Sequence, residues 1–161
     1  MNFFNFRNRA ARQKVFDKFY ANVRTLLCDN LQTGVKSALS LKGDGILAFY
    51  ISSWKEFQVG TKHNARVLEY MSRHYVKRLR DEGVRNVYNG QQLHAIFWTE
   101  EVFDKLEYEL RTWVREVVEV EQEASGKEKL EEFKECYNEL TEELKGSEKG
   151  ILPWDQFCRK V

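Results

Sequence analysis

The sequence predicts an all-α protein, an antiparallel bundle of five to seven helices. Three observations carry that reading. The 161 residues include one proline, Pro153, and nine glycines, too few turn residues for an all-β chain. Glu, Lys, Leu and Arg, all good helix formers, are abundant. Apolar residues recur at spacings of three and four along most of the chain. Hydrophobic residues make up 42% and charged residues 32%, enough of each to bury a core and solvate a surface. The length fits one domain.

Each element follows from its apolar stripe. Val15, Phe19, Val23, Leu27, Leu31, Val35 and Leu39 make residues 3–39 one long helix or two short ones, with Gly34 as the weak point. Residues 41–45 read as a loop, and Asp44 suits the N-cap of the next helix. Ile46, Leu47, Phe49, Tyr50, Trp54 and Phe57 give that helix a wide apolar face, and Gly60 is expected to end it. Thr61 is then expected to cap a third helix over 62–80, with Val67, Leu68, Met71, Tyr75 and Leu79 inward. Its other face is basic, with Arg66, Arg73, Lys77, Arg78 and Arg80. A segment over 86–101 carries Tyr88, Leu93, Ile96, Phe97 and Trp98. A helix over 102–123 follows, then a connection at 124–126, then an acidic helix over 127–145. Residues 1–145 thus form the helical domain. Residues 146–161 form a C-terminal tail able to dock through Trp154 and Phe157.

Charge and cysteines exclude several classes. The formal net charge is +1, so no global field draws the chain to nucleic acid or to an anionic membrane. Cys28, Cys136 and Cys158 are widely spaced and form no CxxC pair, which argues against a disulfide framework or a zinc site. A reducing compartment, cytoplasmic or nuclear, fits best. No apolar run is long enough to span a bilayer, and residues 1–7 lack a signal-peptide core.

The search for chemistry returns little, so no cofactor, metal, small-molecule substrate or catalytic residue is expected. His63, His74 and His94 have no metal-ligand spacing and read as surface or boundary residues. No P-loop, GxSxG or GxGxxG occurs. The paired acids Glu100-Glu101, Glu131-Glu132 and Glu142-Glu143 read as solvated helix faces. A protein-binding surface remains. Tyr70 and Arg73 lie three apart on one helix face, and both are residue types enriched in interface hot spots. Lys77 extends their basic face. The same face, interleaved with Tyr70 and Tyr75, offers an alternative as a nucleic-acid or anionic-surface binder, against which stand the neutral chain and the lack of a nucleic-acid motif.

Two segments carry a family resemblance. An apolar pair with Leu47, then Phe49-Tyr50, then Trp54 four residues after that tyrosine resembles a pattern of the cullins. Tyr70, Met71, Arg73, Tyr75 and Val76 resemble the cullin segment that comes next, and Asn86-Val87-Tyr88 the one after it. The resemblance covers about residues 18–106. It implies a cullin-type helical repeat whose structural core includes Phe49, Tyr50, Trp54, Tyr75, Tyr88 and Trp98. Cullins are scaffolds of multisubunit ubiquitin ligases, and their first repeat docks an adaptor of the BTB/Skp fold through two helices. Tyr70 and Arg73 match adaptor-contacting positions, so the resemblance implies adaptor binding there. The length implies a single, shortened repeat lacking the RING-binding C-terminal domain, and so a regulator or competitor of ligase assembly. Vesicle-tethering subunits share such repeats and offer another helical reading.

Overall fold

The structure is a computed structural model. It describes residues 3–41, 43–71, 77–81, 83, 88, 90–120, 124–147 and 149–159, and structural statements below concern these. They are all-α in architecture, without strands. Helix α1 is Phe3–Leu39, α2 is Asp44–Met71, α3 is Lys77–Asp81 and α4 is Gly90–Trp98. One turn of π-helix, Thr99–Phe103, leads without a break into α5, Asp104–Val120. Then come α6, Ala124–Glu143, and the short α7, Trp154–Arg159.

Several expected boundaries move. Gly34 does not break α1. It lies where α1 meets α2, and a Cβ there would stand 2.9 Å from the Phe49 ring, so the missing side chain lets the two helices close up. Gly60 does not end α2, and Thr61 does not cap a new helix. The Thr61 hydroxyl donates to the Phe57 carbonyl four residues back, at 2.9 Å, a bond that a helix interior accommodates. A single interior glycine costs only about 1 kcal/mol, which the buried face of a 28-residue helix overrides. Residues 124–126 are the first turn of α6 rather than a connection. Asp44 opens α2, and its carboxylate Oδ1 accepts the Trp113 indole N–H at 2.8 Å, joining α2 to α5.

Aromatic rings fill the core. Tyr50, Trp54, Trp98, Phe133, Tyr137 and Phe157 are each at most 1% exposed. Tyr50 meets Trp98 and Phe133 edge to face, both at 5.4 Å, the geometry that ring quadrupoles favour. Two of the buried indoles find partners. The Trp98 indole donates to the Tyr50 hydroxyl at 3.1 Å, and the Trp54 indole donates to Glu139 Oε2 at 2.8 Å. Satisfying such groups avoids the penalty of an orphaned donor.

The C-terminal segment closes this core. Phe157 packs against Tyr137 at 4.9 Å and Phe133 at 6.0 Å. Arg111 lies over the Phe157 ring at 4.9 Å and donates to the Phe157 carbonyl at 3.2 Å. The Tyr137 hydroxyl donates to the Leu152 carbonyl. Gly146, at φ +81°, turns the chain out of α6. A Cβ on it would stand 2.9 Å from Gln92 Nε2, and that amide donates to the Lys145 carbonyl at 2.8 Å.

Candidate docking site

Helices α1 and α2 form an antiparallel pair joined by a tight turn at 40–43, which includes Gly43 at φ +60°. Farther along the pair, α4 packs against both. Cys28 of α1 meets Leu93 and Phe97, while Phe57 of α2 meets His94 at 5.7 Å and Trp98 at 5.2 Å. Both helices continue beyond these contacts, α1 through residues 3–22 and α2 through 62–71. The side chains described over 10–22 are all exposed, Lys14, Val15 and Lys18 among them. Lys62 and Arg66 are exposed on α2, as are Lys77 and Arg80 on α3. Exposed base thus lies on the N-terminal half of α1, on the C-terminal part of α2 and on α3.

Tyr70 lies in the last turn of α2, but its side chain lies outside the described residues, as do Arg73 and Tyr75. Lys77 opens α3 and is exposed. The Arg80 guanidinium donates to Gln92 Oε1 at 3.3 Å, which ties α3 to α4. Of the expected core residues, Tyr50, Trp54 and Trp98 are buried. Phe49 and Tyr88 are half-buried against the same core.

A constellation missed in the sequence sits where α1 crosses the π turn. The Glu100-Glu101 pair is not a solvated face. Glu101 is 7% exposed. Its Oε1 accepts from Arg24 Nε at 3.0 Å and Nη2 at 2.6 Å, and its Oε2 accepts from Gln32 and Lys105, both at 3.1 Å. Burial alone would raise the Glu101 pKa, but the hydrogen bonds from Arg24, Lys105 and Gln32 hold it down to about 2. The group is thus a carboxylate at any physiological pH. Arg24 also pairs with Glu100 at 2.7 Å and lies over the Phe97 ring at 5.7 Å. A sequence signal existed: Leu93, Phe97, Glu101 and Lys105 are four apart, so Glu101 continues a row that faces α1.

His94 also departs from expectation. It is 1% exposed rather than a surface residue. Its Nδ1 pairs with the Gly90 carbonyl at 2.6 Å, and Nε2 is buried without a hydrogen-bond partner. Burial lowers its pKa, so the ring is neutral. Cys28 and Cys136 are buried, which pushes each thiol up to about 11 and makes them poor nucleophiles. Among the described residues no group of three or more His, Cys, Asp or Glu could hold a metal ion, and no helix is long and apolar enough to cross a membrane.

A family model described as the cullin alpha solenoid domain matches residues 4–150. The chain belongs to the cullin family. Among curated relatives, Cullin-1 of Caenorhabditis elegans is 30% identical over 66 residues, 41% of this chain and 8% of that protein. Cell division control protein 53 of Saccharomyces cerevisiae is 33% identical over 58 residues, 36% of this chain and 7% of that protein. Cullin-1 of Dictyostelium discoideum is 22% identical over 107 residues, 66% of this chain and 14% of that protein. The matches thus span a small fraction of each relative's length. What they establish for this chain is a cullin-type helical interaction module.

Proposed function

We propose that this chain is a non-catalytic docking module that binds an adaptor of the BTB/Skp fold. The interface is formed by the N-terminal part of α1 and the C-terminal part of α2 with α3, with Tyr70, Arg73 and Lys77 as contact residues. Residues 1–145 form the docking domain, and 146–161 close its core. The observation that carries this reading is the exposed base at 14 and 18 of α1, 62 and 66 of α2 and 77 of α3, inside a span that matches the cullin model. A tyrosine ring seated in a pocket and an arginine making charge-assisted hydrogen bonds would anchor such a contact. A chain that occupies an adaptor in this way would compete with ligase assembly.

Binding to a panel of purified BTB/Skp-fold adaptors, measured by calorimetry, tests the reading. One adaptor is expected to bind, and Tyr70→Ala or Arg73→Ala is expected to weaken it by roughly 30-fold, about 2 kcal/mol. Absence of binding to every adaptor, or binding indifferent to both substitutions, overturns it. Binding to duplex DNA or RNA that falls steeply with salt, with no adaptor bound, would instead favour the basic face as an anionic-surface reader.

A further inference from the structure

Helices α2 and α6 lie side by side and run in the same direction. Asp44 pairs with Lys129 at 3.5 Å, the Trp54 indole reaches Glu139 at 2.8 Å, and Gln58 donates to Glu143 at 2.8 Å. Each helix shows an exposed stripe beside that contact. On α2 it is Lys55, Val59, Lys62 and Arg66, spaced four, three and four apart, which is one face of a helix. On α6 it is Glu128, Glu132, Glu135 and Glu139, with the same spacing. Lys55 stands 3.9 Å from Glu132, so the two stripes share one side of the molecule. Val59 is 66% exposed between the lysines. The two signs are not interleaved. Glu128, Glu132 and Glu135 flank the half of α2 that starts at Asp44. Lys62 and Arg66 lie past Gln58, whose partner Glu143 is the last residue of α6. This side is therefore acidic toward one end and basic toward the other. Lys62, Arg66, Glu128 and Glu135 have no ion-pair partner among the described residues.

We propose that two copies of this chain associate through this side, related by a two-fold axis. A half turn about an axis through the middle of the side lays the basic end of one copy on the acidic end of the other, and does so twice. Lys62 and Arg66 of each copy then meet the glutamates of the other copy's α6. Such an isologous contact satisfies both stripes at once and closes on itself, so assembly stops at a dimer. The formal net charge of +1 leaves no general repulsion between copies. Val59 and the aliphatic stems of the lysines supply apolar area beneath the charges. Exposed ion pairs are individually weak, so the dimer is weak and sensitive to salt. Lys62 and Arg66 also belong to the proposed docking surface, so a bound adaptor and a second copy exclude each other. Self-association itself does not rest on adaptor binding.

Sedimentation velocity on the full chain alone, from about 5 to about 200 µM, tests this. At about 50 mM salt the chain is expected to pass from monomer to dimer, and at about 500 mM the association is expected to weaken on the order of 10-fold. Lys62→Glu with Arg66→Glu, and separately Glu128→Lys with Glu135→Lys, place like charges across the axis. Each pair is expected to leave the chain monomeric over the same range. An equimolar mixture of the two variants has opposite charges on both halves of the contact and is expected to recover the dimer. All four positions are exposed, and circular dichroism checks that the helices persist. Should a reversal variant lose helix, Lys62→Gln with Arg66→Gln and Glu128→Gln with Glu135→Gln take its place, each weakening the dimer on the order of 10-fold. A parent that stays monomeric at low salt, assemblies that grow past the dimer, a dimer indifferent to the substitutions, or a mixture that stays monomeric overturns the inference. No adaptor is present in this experiment, so its outcome is separate from the effect of Tyr70→Ala on docking.

Discussion

The packed body and the basic stretches of α1 and α2 belong to the same helices and differ in what they show to solvent. Within the body, α2 buries Tyr50, Trp54 and Phe57. A few turns later the same helix shows Lys62 and Arg66 to solvent. In α1, Val35 and Ala38 are buried, whereas Lys14 and Lys18 are exposed. Within the body three tryptophan indoles donate to Tyr50, Glu139 and Asp44. The difference teaches that buried rings and exposed base can occupy different stretches of one long helix.

The contrast can be broken most severely from inside the body. Phe157→Ala removes a fully buried ring and is expected to cost about 3–5 kcal/mol by urea denaturation, while Lys14→Ala on α1 should shift the midpoint hardly at all. An equal effect of the two would erase the distinction. Next in size, Gly34→Val forces a branched side chain toward the Phe49 ring, already 2.9 Å from a Cβ. A loss of about 1–3 kcal/mol is expected.

The third test uses pH. His94 is held neutral by burial, with its pKa lowered, whereas in the unfolded chain it takes a proton near pH 6.5. The unfolded state therefore binds the extra proton first. Stability is unaffected by this group above about pH 6.5 and falls as the pH drops below it, by at most about 1.4 kcal/mol per pH unit. Thermal midpoints between pH 7 and pH 5 should show this decline, and His94→Leu should flatten it. A parent midpoint indifferent to pH in that window would contradict the assignment. The smallest effect is a gain. Gly60 has open space around its Cβ position and lies inside α2, so Gly60→Ala should raise stability by about 0.5–1 kcal/mol. Opposite signs at Gly34 and Gly60 would mark where close packing stops.

Much of the body was legible from periodicity. The stripes of Leu47, Tyr50, Trp54 and of Phe103, Leu106, Leu110, Trp113 mark buried faces because one face of a helix has a fixed spacing. Boundaries were less so. Gly60 reads as a terminator in any local view, and only the long buried face of α2 overrides it. The π turn at Thr99–Phe103 has no local signature, so a break was expected where α4 and α5 run on as one. Glu101 stayed hidden because adjacent acids on a charged helix look solvated. Its partners Arg24 and Gln32 lie more than sixty residues away in sequence and meet it only in the fold. At the candidate site, spacing supplied the shared face of Tyr70 and Arg73, and the family resemblance supplied their role.

The placement of the tryptophans has an optical consequence. All four, Trp54, Trp98, Trp113 and Trp154, are buried in or packed against the body's core, and residues 3–22 and 62–71 carry none. Intrinsic fluorescence therefore reports the loss of the core as the indoles meet water. A titration in which an adaptor binds while tryptophan emission stays constant would separate docking from unfolding of the protein.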